Sequence, residues 1–139
     1  MGSVSLRWVE QQLFTGTDSH EHSFVIGKLH GDPPSWLGIK PSDLLLLAVA
    51  SCSAMDLVEI LTKQREPLKD LLITVSGEQN SQPPYSFTQI HLHYRIWGPV
   101  DAKKLERAIT LSEDKYCSVI STLRPGVPVT SDYEILGGV

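Results

Sequence analysis

The amino-acid sequence predicts an α+β protein. Three observations lead there: a long stretch near the middle that is apolar on every face, alternating strand-like segments on both sides of it, and short segments of helical period late in the chain. The order of elements reads β-β-α-β-β-α-α-β, with hairpins supplying antiparallel strands and the apolar helix packed on sheet.

The first strand-like segment, SLRWVEQQLFT, runs from Ser5 to about Thr15 and mixes apolar and polar residues as an edge strand does. HSFVIGKL, from His22 to Leu29, reads as the second, joined to it through GTDSHE. HGDPPSWLGIKPSD follows, and its three prolines and two glycines mark a loop. The long helix is expected to start near Pro41 or Ser42, because proline suits the first turn and Ser42 and Asp43 place oxygens where the free backbone N–H groups point. It runs to about Gln64. Four consecutive leucines followed by AVASCSAM leave no polar face, the pattern of a helix buried on more than one side.

LLITVSGE and FTQIHLHYRIW then alternate as strands. Leu71, Ile73 and Val75 share one face of the first, and Ile90, Leu92, Tyr94 and Ile96 share one face of the second, opposite Gln89, His91, His93 and Arg95. NSQPPYS turns between them. VDAKKLERAITLS reads as an amphipathic helix capped by Asp101, with Leu105, Ala108, Ile109 and Leu111 as its buried stripe. Ser112 is placed to cap a further helix, EDKYCSVISTL, that stops at Arg124, Pro125 and Gly126. VPVTSDYEI is the last strand.

The 139 residues are 41% hydrophobic, enough for one core, and a single domain over 1–139 is expected. A net charge of -4 without a basic block gives no electrostatic grip on nucleic acid or on an anionic membrane, and neither is expected as a partner. The N-terminus lacks the layout of a secretory signal, no apolar run approaches ~18 residues, and Leu6 breaks the myristoylation pattern. These features predict a cytoplasmic, soluble protein. In such a compartment the two cysteines, Cys52 and Cys117, read as free thiols or as a redox pair rather than as a structural disulfide.

Helical spacing surrounds Cys52 with Ala48, Val49, Met55 and Asp56, which are apolar or anionic and disfavour a thiolate. A reactive Cys52 needs a cation from elsewhere. Cys117 falls in the second turn of its expected helix, where the helix dipole helps modestly. Local sequence favours neither cysteine as nucleophile, and buried cysteines often only fill space.

A resemblance changes that balance. PSDLLLLAVASCSAMDLVEILTK, followed later by RAITLSEDKYCSV, resembles the OsmC/Ohr family of peroxide-handling proteins, whose pattern is Pro-x-Glu-Leu, a run of small and apolar residues, Cys, and a second Cys opening a later helix. Within the family the chain is most similar to the YhfA-like branch, through Cys52 to Lys63, Phe87 to Gly98 and Arg107 to Val119; Trp8 to Glu10 and the TLRPGVPVTSDYEI segment fit as well. The resemblance implies an OsmC-like fold in which antiparallel sheets wrap two long central helices in an intertwined homodimer. It also implies chemistry: thiol-dependent reduction of an organic hydroperoxide, with Cys52 as peroxidatic and Cys117 as resolving cysteine, a dithiol reductant, and no cofactor. An apolar pocket would suit bulky peroxides.

The chain departs from the family pattern at one point. Family peroxidases stabilise the thiolate with an arginine ahead of the long helix, held by a glutamate near its start. Between Phe14 and Pro41 there is no arginine, and the acidic position falls at Asp43, shorter than Glu and one residue nearer the cysteine. Arg7 and Lys40 are the substitutes considered for the cation, and Asp56 is a candidate for orienting a base near the thiol. The departure supports an alternative function, a non-catalytic dimer of this fold holding a small hydrophobic or thiol ligand in an apolar cleft.

Other polar clusters carry less. His91 and His93 point the same way from one strand, but two ligands without a nearby Cys or acidic residue do not make a metal site, and no metal is expected. His20 and His22 around Glu21 read as a surface turn. Trp8, Trp36 and Trp97 are expected in the core or lining an apolar pocket.

Overall fold

A computed structural model describes residues 2–137. Its backbone divides into two compact units, Met1–Leu45 and Leu46–Val139, with the boundary inside the long helix.

The first unit is an antiparallel sheet of β1 (Ser5–Glu10), β2 (Gln12–Thr17), β3 (Ser23–Leu29) and β4 (Ser35–Trp36), in that spatial order. What the sequence presents as one edge strand is two. The chain reverses at Gln11, which takes a left-handed φ of 49° without the Gly or Asn that usually announces such a turn. Gln11 is instead held from both sides: its carbonyl accepts Trp8 Nε1–H at 2.8 Å and its side-chain oxygen accepts the His30 N–H at 2.6 Å. Gly27 is required where β3 pairs with β2, since its φ is +101° and a Cβ there would collide with the Gln12 carbonyl oxygen. The proline-rich loop is not wholly irregular, because Ser35 and Trp36 pair with Leu29 and Lys28. Neither Trp8 nor Trp36 is core; they are 65% and 44% exposed, and Lys28 and Lys40 lie over the Trp36 ring at 4.9 and 5.9 Å.

The second unit holds the core. Helix α1 (Pro41–Lys63) starts and ends where its proline and the EPL segment predict. Strands β5 (Asp70–Gln79) and β6 (Phe87–Trp97) form the expected antiparallel hairpin, and β7 (Val129–Leu136) adds to β6 in parallel rather than antiparallel. The reason is the route taken: helices α2 (Ala102–Leu111) and α3 (Ser118–Leu123) carry the chain back to the starting end of β6, as parallel pairing requires. Ile90, Leu92, Tyr94 and Ile96 of β6 are fully buried, and with Val49, Leu57 and Leu61 of α1, Leu105 and Ala108 of α2 and Ile120 of α3 they form the core. Trp97 lies on the other face of β6, half-buried beneath Arg95 at 5.2 Å.

Burial along α1 is one-sided. Val49, Ser53, Leu57 and Leu61 form its buried stripe, whereas Leu47, Met55 and Val58 are 53%, 74% and 43% exposed on nearly the opposite side. By length and composition α1 is also long and apolar enough to cross a membrane, although Ser51, Ser53, Asp56 and Glu59 keep its apolar residues from forming an unbroken run. Here it is the core helix of the second unit.

Asp101 caps α2 as expected, its carboxylate accepting the Lys104 N–H at 3.0 Å. The helix expected beyond Ser112 does not continue. Ser112–Tyr116 form one π-helical turn, the backbone extends at Cys117 (φ -75°, ψ 105°), and α3 begins after it. Cys117 is thus the N-cap of α3 rather than a second-turn residue, and its sulfur accepts the Ile120 N–H at 3.4 Å.

Candidate active site

Two local devices set the geometry. The position of Cys52 on α1 follows from helical spacing: it lies on the shoulder between the buried and exposed stripes, one turn before Asp56 and on the same side. The π-turn, with its wide i→i+5 bond from Cys117 N–H to Ser112 O at 2.7 Å, swings Cys117 towards that shoulder. As a result the two sulfur atoms and one carboxylate oxygen of Asp56 lie within 4.8 Å of one another. Both cysteines are reduced, Cys52 partly exposed and Cys117 buried.

The two thiols are unequal. Burial pushes Cys117 up to about 11, and the hydrogen bond with Cys52 adds to the rise. Cys117 therefore keeps its proton at neutral pH, while Cys52 is the sulfur that a molecule from solution reaches.

Behind the sulfurs runs a buried polar network. Ser112 Oγ lies 2.9 Å from Asp56 Oδ2 and 3.3 Å from Ser53 Oγ; Ser53 Oγ and the Tyr94 hydroxyl are 2.6 Å apart; Tyr94 donates to Glu113 Oε2 at 3.4 Å, as does Ser131 at 2.9 Å. Each hydroxyl has one proton to give, and that accounting fixes the directions. Ser112 donates to the nearer Asp56, and Ser53 donates to Tyr94, whose own proton goes to Glu113. Burial raises the Glu113 carboxyl and holds the Tyr94 hydroxyl well above the usual phenol range. Ser131, Arg124 (3.6 Å from Oε1) and Tyr94 oppose the rise at Glu113. Arg124 is itself shared with Asp114, at 2.6 Å, and the Glu113 carbonyl.

Of the residues singled out from sequence, Cys52, Cys117 and Asp56 come together. Asp43 is exposed in the first turn of α1, Arg7 is exposed on β1, and Lys40 stacks on Trp36, all within the first unit. Among the described residues no Lys or Arg hydrogen-bonds or pairs with Asp56 or with either sulfur. The cleft beside Asp56 is mixed in character: its roughly 540 Å³ are lined by Asp56, Glu59, Lys63 and Gln64 as well as Ile60, Leu111 and Tyr116. Ser53, Tyr94, Glu113 and Ser131 escaped the sequence reading. The signal available was a serine and a tyrosine hydroxyl on otherwise apolar buried faces, which must find partners.

His91 and His93 do meet acidic residues, supplied by β7. Asp132 accepts from both, at 2.9 and 2.8 Å, and Glu134 contacts His93 at 3.3 Å and Arg95 at 3.0 Å. These partners lie about forty positions away in sequence and become visible once β7 pairs with β6. At the surface turn Asp18 accepts the backbone N–H groups of His20 and His22 and the His22 ring, which together hold its carboxyl at about 2.

A cysteine pair at the middle of a long core helix, in a unit with a three-stranded sheet, defines a thiol-bearing α+β class of protein, and comparison with known proteins places it. The OsmC-like protein family model matches residues 31–132, and the chain belongs to that family. It is 34% identical over 133 residues to protein YhfA of Escherichia coli K12, covering 94% of this chain and 96% of that one. Among solved structures, a hypothetical protein from Aquifex aeolicus VF5 superposes with a TM-score of 0.88 at 29% identity, over 100% of this chain and 98% of the other. An organic hydroperoxide resistance protein OsmC from Legionella pneumophila superposes with a TM-score of 0.71 at 14% identity, over 96% of each chain; that likeness shows the fold alone.

Proposed function

We propose that the chain reduces organic hydroperoxides through a two-cysteine relay, with Cys52 peroxidatic and Cys117 resolving. The observation that carries the reading is the pairing of a partly exposed sulfur with a buried, protonated one within 4.8 Å. In the first step Cys52 sulfur attacks the outer peroxide oxygen, the O–O bond breaks, and the alcohol leaves as Cys52 becomes a sulfenic acid. In the second, Cys117 sulfur attacks that sulfenic acid and water leaves as the disulfide forms. A dithiol then reopens the disulfide and takes up the oxidation. A disulfide needs sulfurs at about 2.05 Å, so the pair must close by a rotation of its side chains or a small shift of the π-turn.

The working form in this proposal is a homodimer in the reducing cytoplasm. Leu47, Met55 and Val58 support it: an apolar stripe left exposed on the core helix of one chain is suited to meet the same stripe on another. The dimer also brings a second copy of every basic residue, and a partner chain is one source of the cation that Cys52 lacks among the described residues.

The test is peroxide consumption with a dithiol regenerant by wild type, Cys52→Ser and Cys117→Ser, each checked for folding. The relay predicts that Cys52→Ser abolishes consumption and that Cys117→Ser slows it, because the external dithiol must then reduce the Cys52 sulfenic acid directly. Equal activity in all three folded proteins favours the second reading, a dimer that binds a small hydrophobic or thiol ligand without turnover; the missing cation partner at Cys52 is the observation on its side.

A further inference from the structure

We propose that reduced Cys52, Cys117 and Asp56 form a three-donor site for a soft divalent cation, zinc or cadmium, which closes the cysteine pair against oxidation while it is bound. The inference rests on the same reduced pair as the peroxidase reading, although not on turnover.

The donor set comes first. Two thiolates and one carboxylate suit a borderline-soft ion, and three protein ligands with an open fourth position are a common zinc arrangement. A tetrahedral ion with Zn–S bonds of about 2.3 Å holds its sulfurs about 3.8 Å apart. The three donors, all within 4.8 Å of one another, need little side-chain adjustment to reach that spacing.

Two further observations point to an ion. Ser112 Oγ donates to Asp56 Oδ2 at 2.9 Å and fixes the carboxylate, the role outer hydrogen bonds play for ligating carboxylates. Asp56 also faces the cleft of about 540 Å³, an entry path and a place for a water as fourth ligand.

The charges balance in a way the bare site cannot. Two thiolates and a carboxylate this close repel one another, and a divalent ion reduces three negative charges to one. Binding replaces two S–H protons by two metal–sulfur bonds and releases both protons to solvent. With both sulfurs engaged, peroxide has no free thiolate to attack and no disulfide forms.

The probe is cobalt(II), titrated anaerobically into the reduced full chain, followed by zinc displacement. The expected result is one cobalt per chain with an intense sulfur-to-cobalt absorption, release of about two protons, and loss of the absorption when zinc is added. Cys52→Ser should abolish the band, and both Asp56→Asn and Ser112→Ala should weaken binding by about tenfold or more. No thiolate absorption at stoichiometric cobalt would overturn the proposal. So would unchanged affinity in folded Asp56→Asn, or in folded Ser112→Ala should the first variant not fold. Peroxide oxidation of the metal-free protein is measured separately, so a chain that binds cobalt but resists peroxide sinks the peroxidase reading alone, and the reverse result sinks the metal site alone.

Discussion

Ser112 donates a 2.9 Å hydrogen bond to Asp56, tying the π-turn that carries Cys117 to the helix that carries Cys52. The contact sits one turn along α1 from Cys52 and five residues before Cys117, so it holds the spacing of the sulfur pair without involving either sulfur. Ser112→Ala should cost about 1 kcal/mol in stability, the ordinary worth of a hydrogen bond to a carboxylate or slightly less. Disulfide closure should slow several-fold more than that stability loss implies. Stopped-flow oxidation alongside chemical denaturation checks it.

The two thiols should differ in reactivity. Cys117 is 2% exposed and burial lifts it to about 11, so neutral pH leaves it protonated and shielded. A brief pulse of iodoacetamide at pH 7.5 should label Cys52 well ahead of Cys117, read by peptide mapping. Labelling of Cys117 should grow as pH approaches 11.

Tyr94 is fully buried with its hydroxyl between Ser53 and Glu113. Tyr94→Phe keeps the ring's packing but strands a buried serine proton and removes a donor from a buried carboxylate. A loss of about 1–3 kcal/mol is expected, measurable by urea denaturation.

Glu113 gives a pH signature. Its folded-state pKa is raised, chiefly by burial, above the ordinary 4.5, so folding favours the protonated acid. The stability it contributes is complete below 4.5 and is lost as pH rises through the raised value. Glu113→Gln should flatten the thermal-stability profile over that window by removing the fall in stability as pH rises.

The His93 and Asp132 pair acts in a different window. Hydrogen bonding to Asp132, then to Glu134, raises His93 above 6.5, while His93, then His91, lowers Asp132 below 3.8. The histidine's contribution is complete below pH 6.5 and is lost as pH rises through its raised value; the aspartate's is complete above pH 3.8 and is lost as pH falls through its lowered one. The pair therefore stabilises the β6–β7 contact most between those limits. In His93→Gln the fall in melting temperature above pH 6.5 should shrink, by a modest amount because both groups are exposed to solvent.

The elements with strong periodicity were legible in sequence. Pro41 at the start of α1, the alternation from Ile90 to Ile96 and the Asp101 cap each state their structure in neighbouring residues. Where local cues ran out, tertiary contacts decided. The turn at Gln11 depends on a bond to His30, the parallel docking of β7 depends on where α3 delivers the chain, and the break at Cys117 depends on a wide turn that a run such as SEDKYCSV does not advertise. The cysteine pair itself was legible only through resemblance, because nothing near Cys52 announces a residue sixty-five positions later. Asp56 was legible from helical spacing, whereas its partner Ser112 reads as an ordinary cap. The Tyr94 to Glu113 chain crosses three elements and leaves no local signal beyond hydroxyls on buried faces.

The central claim is that Cys52 and Cys117 form one redox unit, and intact-protein mass after one equivalent of organic hydroperoxide tests it most directly, on wild type and Cys117→Ser. The relay predicts that wild type loses about two mass units while Cys117→Ser gains a single oxygen as the Cys52 sulfenic acid. Unchanged masses in both folded proteins would contradict it and leave the cysteine pair without a peroxide-dependent role.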